Sequence, residues 1–494
     1  MWDVRLGGGP RLAAIAVALG VLAPAAVAVE VPAGLNATVA SAEPNGVGLV
    51  PAMGWSSWSF LRKGPTEANV EAQARALVSS GLARVGYDYV NLDDFWYICP
   101  GPQGPVVDNY GRWEPNSNFP SGPGGQNGIE ALAAYVHHLG LKFGLYVTPG
   151  ISLHAVDENT VVLGPNGKPS GYRADQIAGV SAEYNYNCGG MVNLDTMPGH
   201  PPGAPPGTQV LTPGAQDFLD SWADEFASWG IDYLKLDGVG SFDIADVIGW
   251  SQALRQTGRP IHLELSNNLA IGDAGTWSQY ANGWRTGNDI ECYSCEQDGS
   301  SYPLTDWANV ALRFEQAAAW QPYGRPGAFN DYDSIEVGNG SNDGLTLPER
   351  QSQLSLWALA SAPLLLGTDL THLDRVDLRL LTNKAVIAVD QDGIDASRVA
   401  DSPLSQTFAK RERNGDIVVG LFNTGPRAEL LSANVKSFHL PEPGPGAPAP
   451  ATGPPGGPTF HLIDLWDGKS SASTGLVQAE VPPHGVALFR VSAR

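Results

Sequence analysis

Basic residues are scarce in this 494-residue chain: 29 Lys and Arg stand against 51 Asp and Glu, a formal net charge of −22. That deficit excludes a partner that needs a cationic surface, such as nucleic acid or anionic lipid. Charged residues of both signs together make up only 16%. The nine histidines include no H-x-H pair and no H-E-x-x-H segment. A zinc hydrolase is disfavoured on that ground, and no metal or other cofactor is expected. No serine sits in a G-x-S-x-G elbow, which disfavours an esterase. No glycine-rich phosphate loop supports a doubly wound open sheet. Long apolar runs are also missing, apart from Leu12 to Leu22. Arg5 and Arg11 stand at the front of that run, and Ala26-Val27-Ala28 follows it. This is the layout of a signal peptide, residues 1–28, cleaved after Ala28. The run is too short to span a bilayer comfortably. A secreted chain with no membrane attachment in its mature form is therefore expected.

Cysteine is rare too, with four residues. Cys292 and Cys295 form a C-x-x-C without a second such pair or a nearby histidine. Once the chain is exported, a short structural disulfide is expected there rather than zinc. The spacing leaves the pairing of Cys99 and Cys188 open.

Hydrophobic residues make up 43% of the chain, enough for a large core. Between residues 50 and 370 an apolar strand, a polar or glycine-rich loop and a helical stretch recur. The strand candidates are Ala52 to Trp55, Tyr87 to Leu92, Lys142 to Thr148 and Tyr233 to Leu236, then Ile261 to Leu265, Gly283 to Arg285, Gly327 to Asn330 and Leu364 to Gly367. Helical spacing is plain in Thr66 to Ser80, Ile129 to Leu139, Ala215 to Trp229 and Leu347 to Ser361. Eight such units predict a (β/α)8 TIM barrel over residues 45–395. A long loop rich in Gly and Pro, about 150–213, falls between the third and fourth strands and should rise over the barrel mouth. From residue 396 to 494 short alternating stretches predict an antiparallel β-sandwich, with strands at Leu404 to Arg411, Gly415 to Asn423, Val435 to Leu440, Thr459 to Leu465 and Gly485 to Val491. Residues 441–458 read as a flexible Pro/Gly insertion.

Chemistry in such a barrel sits where its strands end. Those ends carry carboxylates and tryptophans: Trp55 to Trp58, Asp93-Asp94, Lys235 with Asp237, Arg285 with Asp289, and Asn330 to Asp333. Carboxylates accept pairs of sugar hydroxyls, aromatic faces pack on sugar rings, and two carboxyl groups cleave a glycosidic bond. Tyr233, Lys235 and Asp237 share one face of their strand. Lys235 there should favour the charged form of Asp237, which suits a nucleophile. Asp289 suits the proton donor. On a regular strand Asp93 and Asp94 would point oppositely, so both reach a pocket only if the strand stops before them. Trp58 is expected in the core, and Asp108, Asp157 and Asp243 at the solvated surface.

These motifs resemble glycoside hydrolase family 27, the α-galactosidase family. The resemblance rests on Met53-Gly54-Trp55-Ser56-Ser57-Trp58, Leu92-Asp93-Asp94-Phe95-Trp96, Tyr233-Leu234-Lys235-Leu236-Asp237, Arg285-Thr286-Gly287-Asn288-Asp289 and Asn330-Asp331-Tyr332-Asp333. It runs from about residue 48 to the C-terminus. It implies a retaining α-glycosidase with Asp237 as nucleophile and Asp289 as acid/base, acting on oligosaccharide or polysaccharide. It further implies Asp93 and Asp94 on the sugar O4 and O6 hydroxyls, Lys235 reaching the sugar hydroxyls near Asp94, Trp55 on the ring, Arg285 on the O2 side and Asp333 closing the pocket. Terminal α-galactose is the expected sugar. The same mechanism on an isomalto-dextran, an α-N-acetylgalactosaminide or a β-L-arabinopyranoside is the alternative, and a catalytically silent carbohydrate-binding protein a further one. Three departures bear on the choice. Gly238-Val239 stands where the family usually has Asn-Cys, Ser266 where a glutamate contacting O2 is common, and Phe95 where glycine or cysteine is usual.

Overall fold

Eight short, largely buried strands form one parallel sheet that curls into a ring. The structure, a computed structural model, describes residues 43–164, 167–202, 204, 206–297, 299–441 and 459–493. The ring strands are β1 (Met53–Ser56), β2 (Tyr89–Leu92), β3 (Lys142–Val147), β4 (Tyr233–Leu236), β5 (His262–Leu265), β6 (Gly283–Arg285), β7 (Phe329–Asp331) and β8 (Leu364–Leu366). They pair in the order β7-β6-β5-β4-β3-β2-β1-β8. A parallel bridge between Ile335, just past β7, and Leu366 of β8 joins the two ends. This is the expected TIM barrel, each strand within two residues of its predicted place.

The helices form for local reasons that the sequence carries. The helix Glu67–Ser79 starts at a capping box: Asn69 donates its backbone N–H to the Thr66 hydroxyl, and Thr66 donates its own to the Asn69 side chain. Val70, Ala74 and Leu77 are fully buried, one apolar stripe laid on the sheet.

Two expectations change. The stretch 150–213 is more than a loop. It folds into a small β insertion: a sheet of Ile151–Ser152, Met191–Leu194 and Ala178–Glu183, a hairpin of Val161–Gly164 with Lys168–Arg173, and the pair Thr196–Pro198 with Gln209–Leu211. A disulfide joins Cys188 of this insertion to Cys99, in the segment after β2, and a second joins Cys292 to Cys295. Frequent glycine and proline hid strands of two to six residues.

The C-terminal region holds β9 (Ser397–Ser402), β10 (Ser405–Arg411), β11 (Ile417–Asn423), β12 (Glu429–Asn434), β13 (Phe460–Asp464), β14 (Ser470–Ser473), β15 (Leu476–Val481) and β16 (Val486–Ala493). Six make one antiparallel sheet, β9-β10-β11-β16-β13-β14, and β12 pairs with β15. Apolar residues such as Val419, Leu421 and Val477 fill the space between the sheets. The strand expected at Val435 to Leu440 is instead a short 3-10 turn, Val435–Ser437, and the strand precedes it. In β12 only one face is covered, so Leu431 is buried while Leu430 is 64% exposed. The signal-peptide expectation, residues 1–28, and residues 442–458 of the expected insertion lie outside the described residues.

The sandwich shares a core with the barrel. Phe408, Phe422 and Leu488 belong to the barrel's own apolar cluster. The Phe314 ring, from the helix Trp307–Trp320, meets those of Phe408 and Phe422 at 6.2 and 5.0 Å. Lys410 of β10 is 1% exposed. Its Nζ donates to Val389 O at 2.6 Å, Ile394 O at 2.8 Å, Ala358 O at 3.2 Å and Ser361 Oγ at 3.1 Å.

Candidate active site

At the C-terminal mouth of the barrel, β2 stops at Leu92. The next two residues escape strand alternation, so Asp93 and Asp94 line the same pocket. Asp93 Oδ1 accepts the Asp94 N–H, and Asp93 Oδ2 lies 2.8 Å from Lys235 Nζ. Lys235 lines the same pocket as Asp94 and is ion-paired to Asp93. Burial would lower the lysine pKa, but Asp93 and Asp237 raise it and keep the ammonium charged. Asp94 Oδ1 accepts the Phe95 N–H and Oδ2 accepts Asn187 Nδ2, each at 2.7 Å. Burial pushes the Asp94 carboxyl up to about 6, against the hydrogen bonds it receives.

Asp237 follows β4 and Asp289 follows β6; both line that pocket, a space of about 660 Å³. Burial raises the Asp237 pKa, and Lys235 only partly offsets it. Lys235 acts in the expected direction, toward the charged form of Asp237, but burial outweighs it. Asp237 Oδ1 has no hydrogen-bond partner. The Ser266 hydroxyl beside it favours the charged form from beyond hydrogen-bond range.

Asp289 is poised the other way. Burial pushes it up, but Arg285, Tyr293 and Lys235 together hold it below the usual carboxylate range. Arg285 donates to Asp289 Oδ1 at 3.1 Å and the Tyr293 hydroxyl to Oδ2 at 2.6 Å. A proton donor needs the opposite poise. The negative charge of Asp289 adds to the upward push on Asp237.

Arg285, Ser266 and Asp333 sit one layer lower, around a 40 Å³ cavity inside the barrel. Asp333 accepts the Ile290 N–H and pairs with Arg285 at 2.6 Å. Its place is to hold Arg285, rather than to line the open pocket.

Trp55 is a correction. Alternation along β1 turns it away from the barrel interior, where it is fully buried and donates to Thr368 O at 2.9 Å. Trp58, expected in the core, lines the pocket instead. It stacks with Phe95 at 6.4 Å and 10° and donates its indole N–H to the Tyr293 hydroxyl at 2.8 Å. Phe95 has φ of 69°, a conformation that suits glycine, so its ring contact is made at the cost of local strain. Asp243, expected at the surface, is 1% exposed and sits against Glu183 of the insertion.

Sequence reasoning missed Tyr293, Asn187 and Tyr184, all on the pocket wall. Tyr293 carried a faint signal, four residues after Asp289 and inside the C-x-x-C. Asn187 stands beside Cys188, and nothing local pointed to Asp94. Asp289, Glu291 and Asp333 bring carboxylate oxygens within 4.8 Å of one another, a spacing that could hold a cation. The Arg285 guanidinium already lies between Asp289 and Asp333 as their counter-charge. Cys292 and Cys295 are bonded to each other and offer no thiolate. No helix of the described residues is long and apolar enough to cross a membrane.

The family model for α-galactosidase A matches residues 50–156 and 206–392. The model for the α-galactosidase C-terminal β-sandwich domain matches 404–491. α-Galactosidase 2 of Arabidopsis thaliana is 32% identical over 91% of this chain and 91% of its own. The α-galactosidase of Coffea arabica is 33% identical over 90% and 94%. A β-L-arabinopyranosidase from Geobacillus stearothermophilus superposes with a TM-score of 0.73 at 26% identity, over 90% of this chain and 96% of that one. α-Galactosidase I from Mortierella vinacea superposes at 0.63 with 26% identity, over 91% and 98%. Matched over more than half its length by one family model, and nearly end to end by relatives above 30% identity, the chain belongs to glycoside hydrolase family 27 and is a glycoside hydrolase.

Proposed function

We propose that this enzyme is a retaining α-galactosidase that removes terminal α-galactose from oligosaccharides or polysaccharides outside the cell. The carrying observation is that Asp237 and Asp289, from β4 and β6, face one pocket that also holds Asp93, Asp94 and Lys235. Asp237 attacks the anomeric carbon while Asp289 gives its proton to the departing glycosidic oxygen. Asp289 then takes a proton from water, which attacks the same carbon and frees Asp237. Arg285 and Tyr293 hold Asp289 charged without substrate. Before Asp289 can donate, the entering substrate must therefore displace the Tyr293 hydroxyl, and Asp289 must take up a proton from solvent, the proton it then gives to the glycosidic oxygen. Trp58, rather than Trp55, packs on the ring. Asp93 and Asp94 take O4 and O6, and Ser266 and Arg285 lie on the O2 side, where Asp333 fixes the arginine. Two disulfides support an oxidising compartment, in keeping with export.

A carboxylate pair placed for an axial O4 is left partly unsatisfied by an equatorial one, at a cost on the order of a few kcal/mol. The test compares kcat/KM for matched aryl glycosides. The α-galactoside should exceed the α-glucoside by about 100-fold or more. Preference for an α-glucosyl or isomaltosyl substrate would sink the galactose reading and leave Asp237 and Asp289 in their roles. A second reading, β-L-arabinopyranoside, is favoured by the 0.73 superposition. That sugar shares the ring configuration of α-galactose and lacks its C6 hydroxymethyl. An aryl α-N-acetylgalactosaminide belongs in the same panel, because Ser266 replaces a larger acid on the O2 side.

A further inference from the structure

Residues 157–205 fall between the two matched parts of the family model. Yet this segment reaches the sugar pocket. Tyr184, Tyr186 and Asn187 come from it and line the same space as Asp237 and Asp289. The disulfide Cys99–Cys188 ties the residue next to Asn187 to the segment that follows Asp93 and Asp94. The corner is built from inside as well. Asn185, 5% exposed, accepts the Cys188 N–H and donates to the Tyr97 hydroxyl at 3.2 Å. Gly238, directly after Asp237, has φ of +79°, and a Cβ there would fall 1.8 Å from the Tyr184 ring. The Gly238 departure from the family pattern therefore has a use: it admits the insertion's tyrosine.

We propose that the insertion is a working wall of the sugar pocket, and that Asn187 is a positioning residue which fixes Asp94 and so sets selectivity for a sugar bearing a C6 hydroxyl. The proposal rests on the galactoside reading, in which Asp94 receives O6. Both Asp94 oxygens are anchored: Oδ1 by the Phe95 N–H, Oδ2 by Asn187 Nδ2. A carboxylate oxygen has two lone pairs, so Oδ2 keeps one for a sugar hydroxyl, with its direction set by the amide. Without Asn187 the carboxyl keeps the Phe95 N–H and the neighbouring Tyr97 hydroxyl, with the Asp93 charge still against it, but loses the donor that sets the direction of Oδ2. Burial already pushes Asp94 up to about 6, so losing that donor also moves it toward the protonated form at neutral pH.

The test is calorimetric binding of D-galactose and L-arabinose to the unmodified enzyme and to Asn187→Ala, with turnover of the matching aryl glycosides in parallel. Galactose binding should weaken on the order of tenfold, the worth of a hydrogen bond to a charged group. Arabinose, which has no C6 hydroxyl, should change less than about twofold on the same argument. In turnover the loss should fall on KM for the galactoside. The double variant Cys99→Ser, Cys188→Ser should shift selectivity in the same direction by loosening the wall. Equal weakening of both sugars, or of neither, overturns the proposal and leaves the galactosidase reading standing. Galactose-selective weakening in an enzyme that does not turn over the galactoside upholds the proposal and removes that reading. An unmodified enzyme that binds neither sugar removes both.

Discussion

The Tyr293 hydroxyl lies 2.6 Å from Asp289 Oδ2 and accepts the Trp58 indole N–H at 2.8 Å. Three residues on different turns of the mouth thus form one chain of hydrogen bonds ending on the proposed acid/base. Tyr293→Phe removes the donor and should raise the Asp289 pKa. The alkaline limb of kcat/KM, which reports a group that must be protonated in the free enzyme, should move to higher pH. An alkaline limb that stays in place would show that Tyr293 only packs.

Asp237→Asn should cut turnover of an activated aryl galactoside by about 10⁴-fold or more with the fold intact, because an amide cannot form the covalent glycosyl intermediate. Circular dichroism and thermal melting check the fold. Residual activity within about tenfold of the parent would assign the nucleophile elsewhere.

Asp289→Asn should depend on the leaving group. An activated phenol departs with little protonation, whereas a sugar needs the acid. The loss should be larger on a disaccharide than on a dinitrophenyl glycoside. Equal factors on both would contradict the acid role.

The first-formed product should be the α anomer, visible by proton NMR before mutarotation. Retention follows if Asp237 and Asp289 work at about 5–5.5 Å from each other, the spacing of a nucleophile with an acid/base. A β anomer would mean that water attacks directly.

Where the insertion meets the barrel, Asp243 is held protonated up to about 9 by burial, with Glu183 beside it. In the unfolded chain an aspartate ionises near about 4. Between these values the folded state binds the extra proton, so stability falls as pH rises through that window. The melting temperature should decline from about pH 5 to pH 9, and Asp243→Asn should flatten the decline. A melting temperature that rises over that range would contradict the assignment.

How much was legible depended on where each signal lay. Asp93, Asp94, Asp237 and Asp289 could be read because a barrel places chemistry at strand ends, and strand ends show in the sequence. Trp55 and Trp58 were exchanged because alternation along β1 was not carried through: it sends Trp55 outward, and Trp58 enters the mouth only after the strand stops. The poise of Asp289 was not legible, because it depends on Tyr293 and Arg285 meeting it in space. Asn187 was hidden by distance: 93 residues separate it from Asp94, and the disulfide that closes the gap could not be assigned from spacing. β9 and β14 sit at sheet edges, where few side chains are covered and the apolar pattern fades.

The buried ammonium of Lys410 gives the sandwich a standing that its sequence did not suggest. It reaches out of β10 to carbonyls at the ends of two barrel helices, Leu347–Leu359 and Lys384–Asp390, and to Ile394 beyond them. Detaching the sandwich would break four hydrogen bonds to the Lys410 ammonium and expose to water the apolar surface that Phe314 shares with Phe408 and Phe422. The two parts should therefore melt in a single endotherm. The C-terminal region is a fastener for the barrel rather than an exchangeable module, and a shortened chain that ends near residue 395 should lose its catalytic mouth along with its tail.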